Sequence, residues 1–106
     1  MGIFGNIFGG NSNNGNLATL VNDGAFLVDV RTPGEFAEGN VKGSVNIPLD
    51  QVQNQLAKFK AKENIVVFCR SGNRSGQATQ FLTQQGIECC NGGSWLDVNY
   101  YQSQTI

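Results

Sequence analysis

Cys69 opens the one stretch of this chain in which residue types and spacing point to chemistry: Phe68-Cys69-Arg70-Ser71-Gly72-Asn73-Arg74-Ser75-Gly76. Cysteine reacts as the thiolate, and helix N-termini and neighbouring cations lower its pKa from about 8.5 into roughly the 3.5–7.5 range. Both aids are expected here. Arg70 and Arg74 flank the loop, and no acidic residue occurs between Glu63 and Glu88. Gly72 and Gly76 let the backbone curl, so that successive N–H groups converge into an anion-binding nest at the start of a helix. A cysteine at the end of an apolar strand is often simply core. Two arginines flanking a glycine do nothing for a core, however, and they favour the nucleophile.

Composition limits how that nucleophile is activated. The 106 residues include three cysteines and no histidine. A Ser-His-Asp triad, a Cys-His pair, an imidazole base and a Cys/His zinc site are all excluded, and three cysteines cannot complete an all-Cys tetrahedral metal site. The net charge of −1 shows no basic excess for nucleic acid. No apolar run approaches the ~18 residues of a membrane span, and the N-terminus lacks the basic residues of a signal peptide. An odd number of cysteines without an export signal predicts free thiols and a cytoplasmic location.

The elements around the loop follow from patterning. Residues 1–16 carry five glycines and five asparagines and no charge, which reads as a flexible leader. Ile3, Phe4, Ile7 and Phe8 leave open a partner-docking or membrane-touching turn. Residues 17–106 read as one folded domain. Leu17, Leu20 and Val21 share a helical face that Gly24 closes. Ala25–Val30 is an apolar strand interrupted only by Asp29. Thr32-Pro33-Gly34-Glu35 is a capping box with proline at the first helical position, predicting a short helix that ends near Gly39. Val45–Ile47 is a second apolar segment, and Leu49, Val52, Leu56 and Phe59 mark a helix face. Ile65–Phe68 is apolar on both faces, as in a buried parallel strand. Ala78, Phe81 and Leu82 predict a helix ending at Gly86. Ile87–Cys90 is a last strand, Asn91-Gly92-Gly93 a turn, and Ser94 the cap of a final helix. Alternating strands and helices predict an α/β fold with a parallel sheet covered on both faces. Ligands of such folds bind beyond the carboxyl ends of the strands, where Cys69 lies.

At these residues the chain resembles the rhodanese homology family. Leu27–Arg31, Glu35-Phe36, Gly39 and Gly43–Pro48 are similar to that family's N-terminal half. Val67–Ser75 resembles its active-site loop, and Gly92-Gly93 with Trp95 resembles its C-terminal end. The resemblance implies a three-layer domain with a mostly parallel sheet of four to five strands flanked by helices. It implies a sulfurtransferase in which Cys69 takes the outer sulfur of thiosulfate or a similar sulfane donor, carries it as a persulfide and passes it to a thiol or cyanide. Arg70, Ser71, Gly72, Asn73, Arg74 and Ser75 would bind the substrate, with Asp29 and Arg31 in support. No cofactor or metal is expected, the partners are small molecules rather than nucleic acid or membrane, and a monomer is expected. A sulfur-relay or protein-binding module with little small-molecule turnover is the alternative.

Phosphatases of related architecture place five residues between Cys and Arg; here four separate Cys69 from Arg74, the tighter sulfurtransferase spacing. The family often has histidine where this chain has Asn40, read here as a surface helix end. Asp29, buried in a strand, needs a partner: it either orients the active loop, pairs with Arg31 or bonds loop amides. Cys89 and Cys90 point to opposite faces of a strand, one expected in the core and one exposed, and either could act as a resolving thiol. Trp95 is expected to pack, with walling of the site's mouth as the alternative. Lys58, Lys60 and Lys62 form a solvated stripe with no assigned function.

Overall fold

In the computed structural model, which describes residues 14–104, four strands form one parallel sheet in the order β2-β1-β3-β4. These are β1 (Phe26–Asp29), β2 (Val45–Asn46), β3 (Ile65–Cys69) and β4 (Cys89–Ser94). Five α-helices surround them: α1 (Asn14–Asn22), α2 (Pro33–Glu38), α3 (Leu56–Lys60), α4 (Asn73–Gln84) and α5 (Trp95–Ser103). The expected rhodanese-type layering is present. Ile3, Phe4, Ile7 and Phe8 lie outside the described residues. Helix α1 begins at Asn14, ahead of the expected domain start at Leu17.

The sheet separates two apolar layers because successive strand side chains alternate. Val28, Ile65, Val67, Cys69 and Cys89 face α3 and α4, where they meet Phe59, Ala78 and Leu82. Leu27, Val66, Phe68 and Cys90 face α1 and α5, where they meet Leu17, Val21 and Val98. All five residues of β3 are buried, which makes it the rigid base from which the Cys69 loop springs.

Three expectations need correction. The segment after Pro48 is not one helix: two short 3-10 turns, Leu49–Gln51 and Gln53–Gln55, precede the five-residue α3. Leu49, Val52, Leu56 and Phe59 still face inward, so the apolar spacing describes a stripe without requiring a continuous helix. Second, Asn91-Gly92-Gly93 is not a turn. It belongs to β4, which bulges: Val67 pairs with Asn91 and Phe68 with Gly93, leaving Gly92 as the extra residue. A Cβ at Gly92 would lie 2.8 Å from Val66 Cγ1, so glycine is required where this bulge crosses the core. Third, Cys89 and Cys90 do face opposite ways, but both are buried because helices cover both faces of the sheet.

Candidate active site

The strand ends and loops at the carboxyl edge of the sheet gather around Cys69. Gly72, the N-cap of α4, adopts φ +104°, a left-handed conformation that disfavours side chains. This turn brings the Gly72 N–H to 3.0 Å from Cys69 Sγ. The Ser75 N–H approaches the same sulfur at 3.4 Å, and Ser75 Oγ is also 3.4 Å away. Burial disfavours the thiolate. The Ser75 hydroxyl and the Ser75, Gly72 and Ser71 N–H groups outweigh it, and the Cys69 pKa falls below its ordinary value. These N–H groups form the nest expected at the start of the helix, and the Ser75 hydroxyl joins them in favouring the thiolate.

The two arginines differ. Arg74 is clamped by Glu35 of α2, with Nη1 to Oε1 at 2.7 Å and Nη2 to Oε2 at 3.1 Å. The same carboxylate accepts from the Thr32 N–H and completes the capping box foreseen for α2. Its pKa is lowered from 4.5 to about 2, chiefly by the hydrogen bond from Arg74. The absence of acids near Arg74 in sequence therefore does not leave it uncompensated in space, since Glu35 arrives from 39 positions away. Arg70 is exposed and forms no ion pair among the described residues. It lines a surface cleft of about 410 Å³ together with Arg31, Glu35, Glu38, Trp95 and Leu96. Ser71 on the loop and Asn73 at the start of α4 are exposed.

Asp29 is fully buried and paired with Arg31: Nε donates to both carboxylate oxygens at 3.0 and 2.9 Å, and Nη2 donates to Oδ2 at 2.7 Å. Arg31 also donates to the Gly39 carbonyl and stacks 4.5 Å from the Trp95 ring centroid. Of the readings open for Asp29, pairing with Arg31 is present together with a bond to a loop amide, the Arg31 N–H donating to Oδ1 at 2.9 Å. Trp95 packs on Arg31 and against the core layer of Val41 and Val98, and it also lines the surface cleft beside Arg70. Asn40 is exposed and donates to the Phe36 carbonyl at the end of α2, as its reading as a surface helix end requires. Burial pushes the thiols of Cys89 and Cys90 up to about 11 and about 12, which leaves Cys69 as the chemically distinct cysteine.

Sequence reasoning missed two residues. In the sequence Glu35 reads only as part of the helix cap; its second role as the partner of Arg74 depends on tertiary packing. Asn91 reads as part of a turn in the sequence, yet its side chain bonds Ser75, Gly72 and Gly93. Among the described residues no group of three or more Cys, Asp or Glu is placed to hold a metal ion, and no helix is long and apolar enough to cross a membrane.

A sequence model of the rhodanese-like domain matches residues 13–97, including every element of this site. This chain belongs to the rhodanese-like family. A sulfurtransferase of Allochromatium vinosum is 38% identical over 60 residues, which cover 57% of this chain and 56% of that protein. The chain thus spans little more than half of that relative. Thiosulfate sulfurtransferase GlpE of Pseudomonas aeruginosa is 34% identical over 89 residues, covering 81% of each protein. The human single-domain sulfurtransferase TSTD1 superposes with a TM-score of 0.66 at 31% identity, covering 78% of this chain and 88% of that one. This rhodanese-like domain therefore sits in a sulfurtransferase-like family.

Proposed function

We propose that this rhodanese-like domain is a sulfurtransferase that carries a sulfane sulfur on Cys69. The observation that carries the reading is the set of donors directed at the sulfur: the Gly72 N–H at 3.0 Å, the Ser75 N–H at 3.4 Å and the Ser75 hydroxyl. The Cys69 thiolate attacks the outer sulfur of thiosulfate, or of a similar donor. A new S–S bond forms, the sulfur–sulfur bond of the donor breaks, and its electron pair leaves with sulfite. The terminal sulfur of the persulfide is an anion, and the same amides that favoured the thiolate support it. Attack on that sulfur by cyanide or a thiol breaks the persulfide bond and returns the thiolate. Neither half-reaction needs a proton-shuttling imidazole, which fits a chain without histidine. Arg70, exposed at the cleft, attracts the anionic donor, while Arg74 acts with its charge already partnered by Glu35.

Intact mass after thiosulfate treatment tests this reading. A reducible adduct of about 32 Da, one sulfur atom, is expected on the wild type and not on Cys69→Ser. An adduct retained in Cys69→Ser, or none on the wild type, refutes it.

A further inference from the structure

Asn91 stands on β4, next to the strand that carries Cys69, and its carboxamide makes three contacts around the reactive loop. Oδ1 accepts from the Ser75 hydroxyl at 2.7 Å and from the Gly93 N–H at 2.9 Å. Nδ2 donates to the Gly72 carbonyl at 3.2 Å. The Gly93 contact settles which way the amide points, because a backbone N–H needs an oxygen to accept it. Ser75 is fully buried, and its Oγ lies between Asn91 Oδ1 and the sulfur.

A hydroxyl has one proton to give. With Cys69 as the thiol, S–H donates to Ser75 Oγ and the Ser75 hydroxyl donates to Asn91. With Cys69 as the thiolate, the sulfur and Asn91 Oδ1 compete for the single Ser75 proton. Asn91 Oδ1 retains the Gly93 N–H, so releasing the hydroxyl leaves it paired. A neutral amide oxygen therefore yields the proton when the sulfur ionises and recovers it when the thiol returns. We propose that Asn91 is a positioning residue for Cys69: its amide oxygen competes with the sulfur for the Ser75 hydroxyl proton, so that β4 governs how readily the sulfur at the end of β3 becomes an anion. The inference rests on the reading of Cys69 as the nucleophile and adds a residue outside the loop to that site.

The charged groups around the sulfur come from several elements. They are Arg70 beside it on the loop, Arg74 in α4 with its partner Glu35 from α2, and the Asp29–Arg31 pair at the end of β1. Strand β4 contributes no charged side chain, and its other titratable groups, Cys89 and Cys90, are buried. None of these groups is altered by a substitution at Asn91.

The test is the pH profile of Cys69 alkylation by iodoacetamide in the full chain, with the label assigned by peptide mapping, for Asn91→Asp and Asn91→Ala. Asn91→Asp keeps an acceptor for Ser75 but makes it an anion that holds the hydroxyl proton. Its profile moves to higher pH, and the rate on the acid side falls about tenfold, as expected for roughly 1.4 kcal/mol. Asn91→Ala leaves Ser75 with the sulfur as its acceptor, and its midpoint falls below that of the wild type. By repulsion of the thiolate alone, the charge introduced by Asn91→Asp raises the midpoint, so Asn91→Ala decides: a residue that only braced the loop would raise its midpoint by loosening the Gly72 and Ser75 donors. A midpoint at or above the wild type in Asn91→Ala, or no upward displacement in Asn91→Asp, overturns the proposal. Alkylation does not read sulfur transfer, so a wild type that alkylates at Cys69 but forms no persulfide counts against the sulfurtransferase reading alone.

Discussion

Replacing Ser75 with alanine removes one of the donors on the reactive sulfur and leaves the others in place. Gly72 N–H at 3.0 Å and Ser75 N–H at 3.4 Å are backbone groups and survive the substitution; the hydroxyl 3.4 Å from Sγ does not. A hydrogen bond to a charged group contributes about 1.5–3 kcal/mol. The long S···O contact and the competition from Asn91 set this one at the lower end, about 1.5 kcal/mol. At roughly 1.4 kcal/mol per factor of ten, the thiolate-to-thiol ratio falls about tenfold. Asn91 Oδ1 keeps its bond from Gly93, so no acceptor is orphaned, and the stability cost stays near ~1 kcal/mol. Alkylation of Cys69 by iodoacetamide, followed from acid to alkaline pH, measures the effect. The Ser75→Ala rate should be about tenfold lower on the acid side and should converge with the wild type at alkaline pH, where both are thiolates. A profile superposable on the wild type would refute the argument that the hydroxyl favours the anion. A loss that persisted at alkaline pH would refute it too, because it would report a collapsed loop rather than a lost ionisation.

Other outcomes follow from neighbouring residues. Glu35 has a folded pKa of about 2 against an ordinary 4.5, so its contribution to stability is fully present above pH 4.5 and is lost as the pH falls toward 2. The pair is about one-third exposed, so solvent screening limits the loss to about 1 kcal/mol; urea unfolding should show it in the wild type and not in Glu35→Gln. Gly92→Ala forces a methyl against Val66 and Val98 and should destabilise the domain by about 1–3 kcal/mol; an unchanged urea midpoint would show that the bulge yields. In thiosulfate-to-cyanide kinetics Arg70→Ala should raise the donor KM more than Arg74→Ala does, because Arg74 is already neutralised by Glu35. The reverse order would place Arg74, not Arg70, in charge of the donor.

Much of this molecule is legible in its sequence because the deciding signals are local. The capping box of α2, the fully apolar β3 and the Gly72 turn each lie within a few residues of what they determine. The segment after Pro48 is less legible, since 3-10 turns and α-helix share an inward apolar spacing over so few residues. Asn91-Gly92-Gly93 carries the composition of a turn, and only pairing with β3 shows that it is a bulged strand. The same limit hid Glu35 and Asn91 as members of the site. A carboxylate 39 positions from its arginine and an amide 16 positions from its serine meet only after the sheet has formed. The exposure expected for one of Cys89 and Cys90 failed for a related reason: a strand shows its two faces by alternation, but it does not show that both are covered.

The central claim is that sulfur passes through Cys69, and thiocyanate formation from thiosulfate and cyanide measures that passage directly. The wild type should turn over, Cys69→Ser should fall to the uncatalysed rate, and Cys89→Ser with Cys90→Ser should retain turnover in whatever fraction remains folded. Turnover by Cys69→Ser at the wild-type rate would contradict the account.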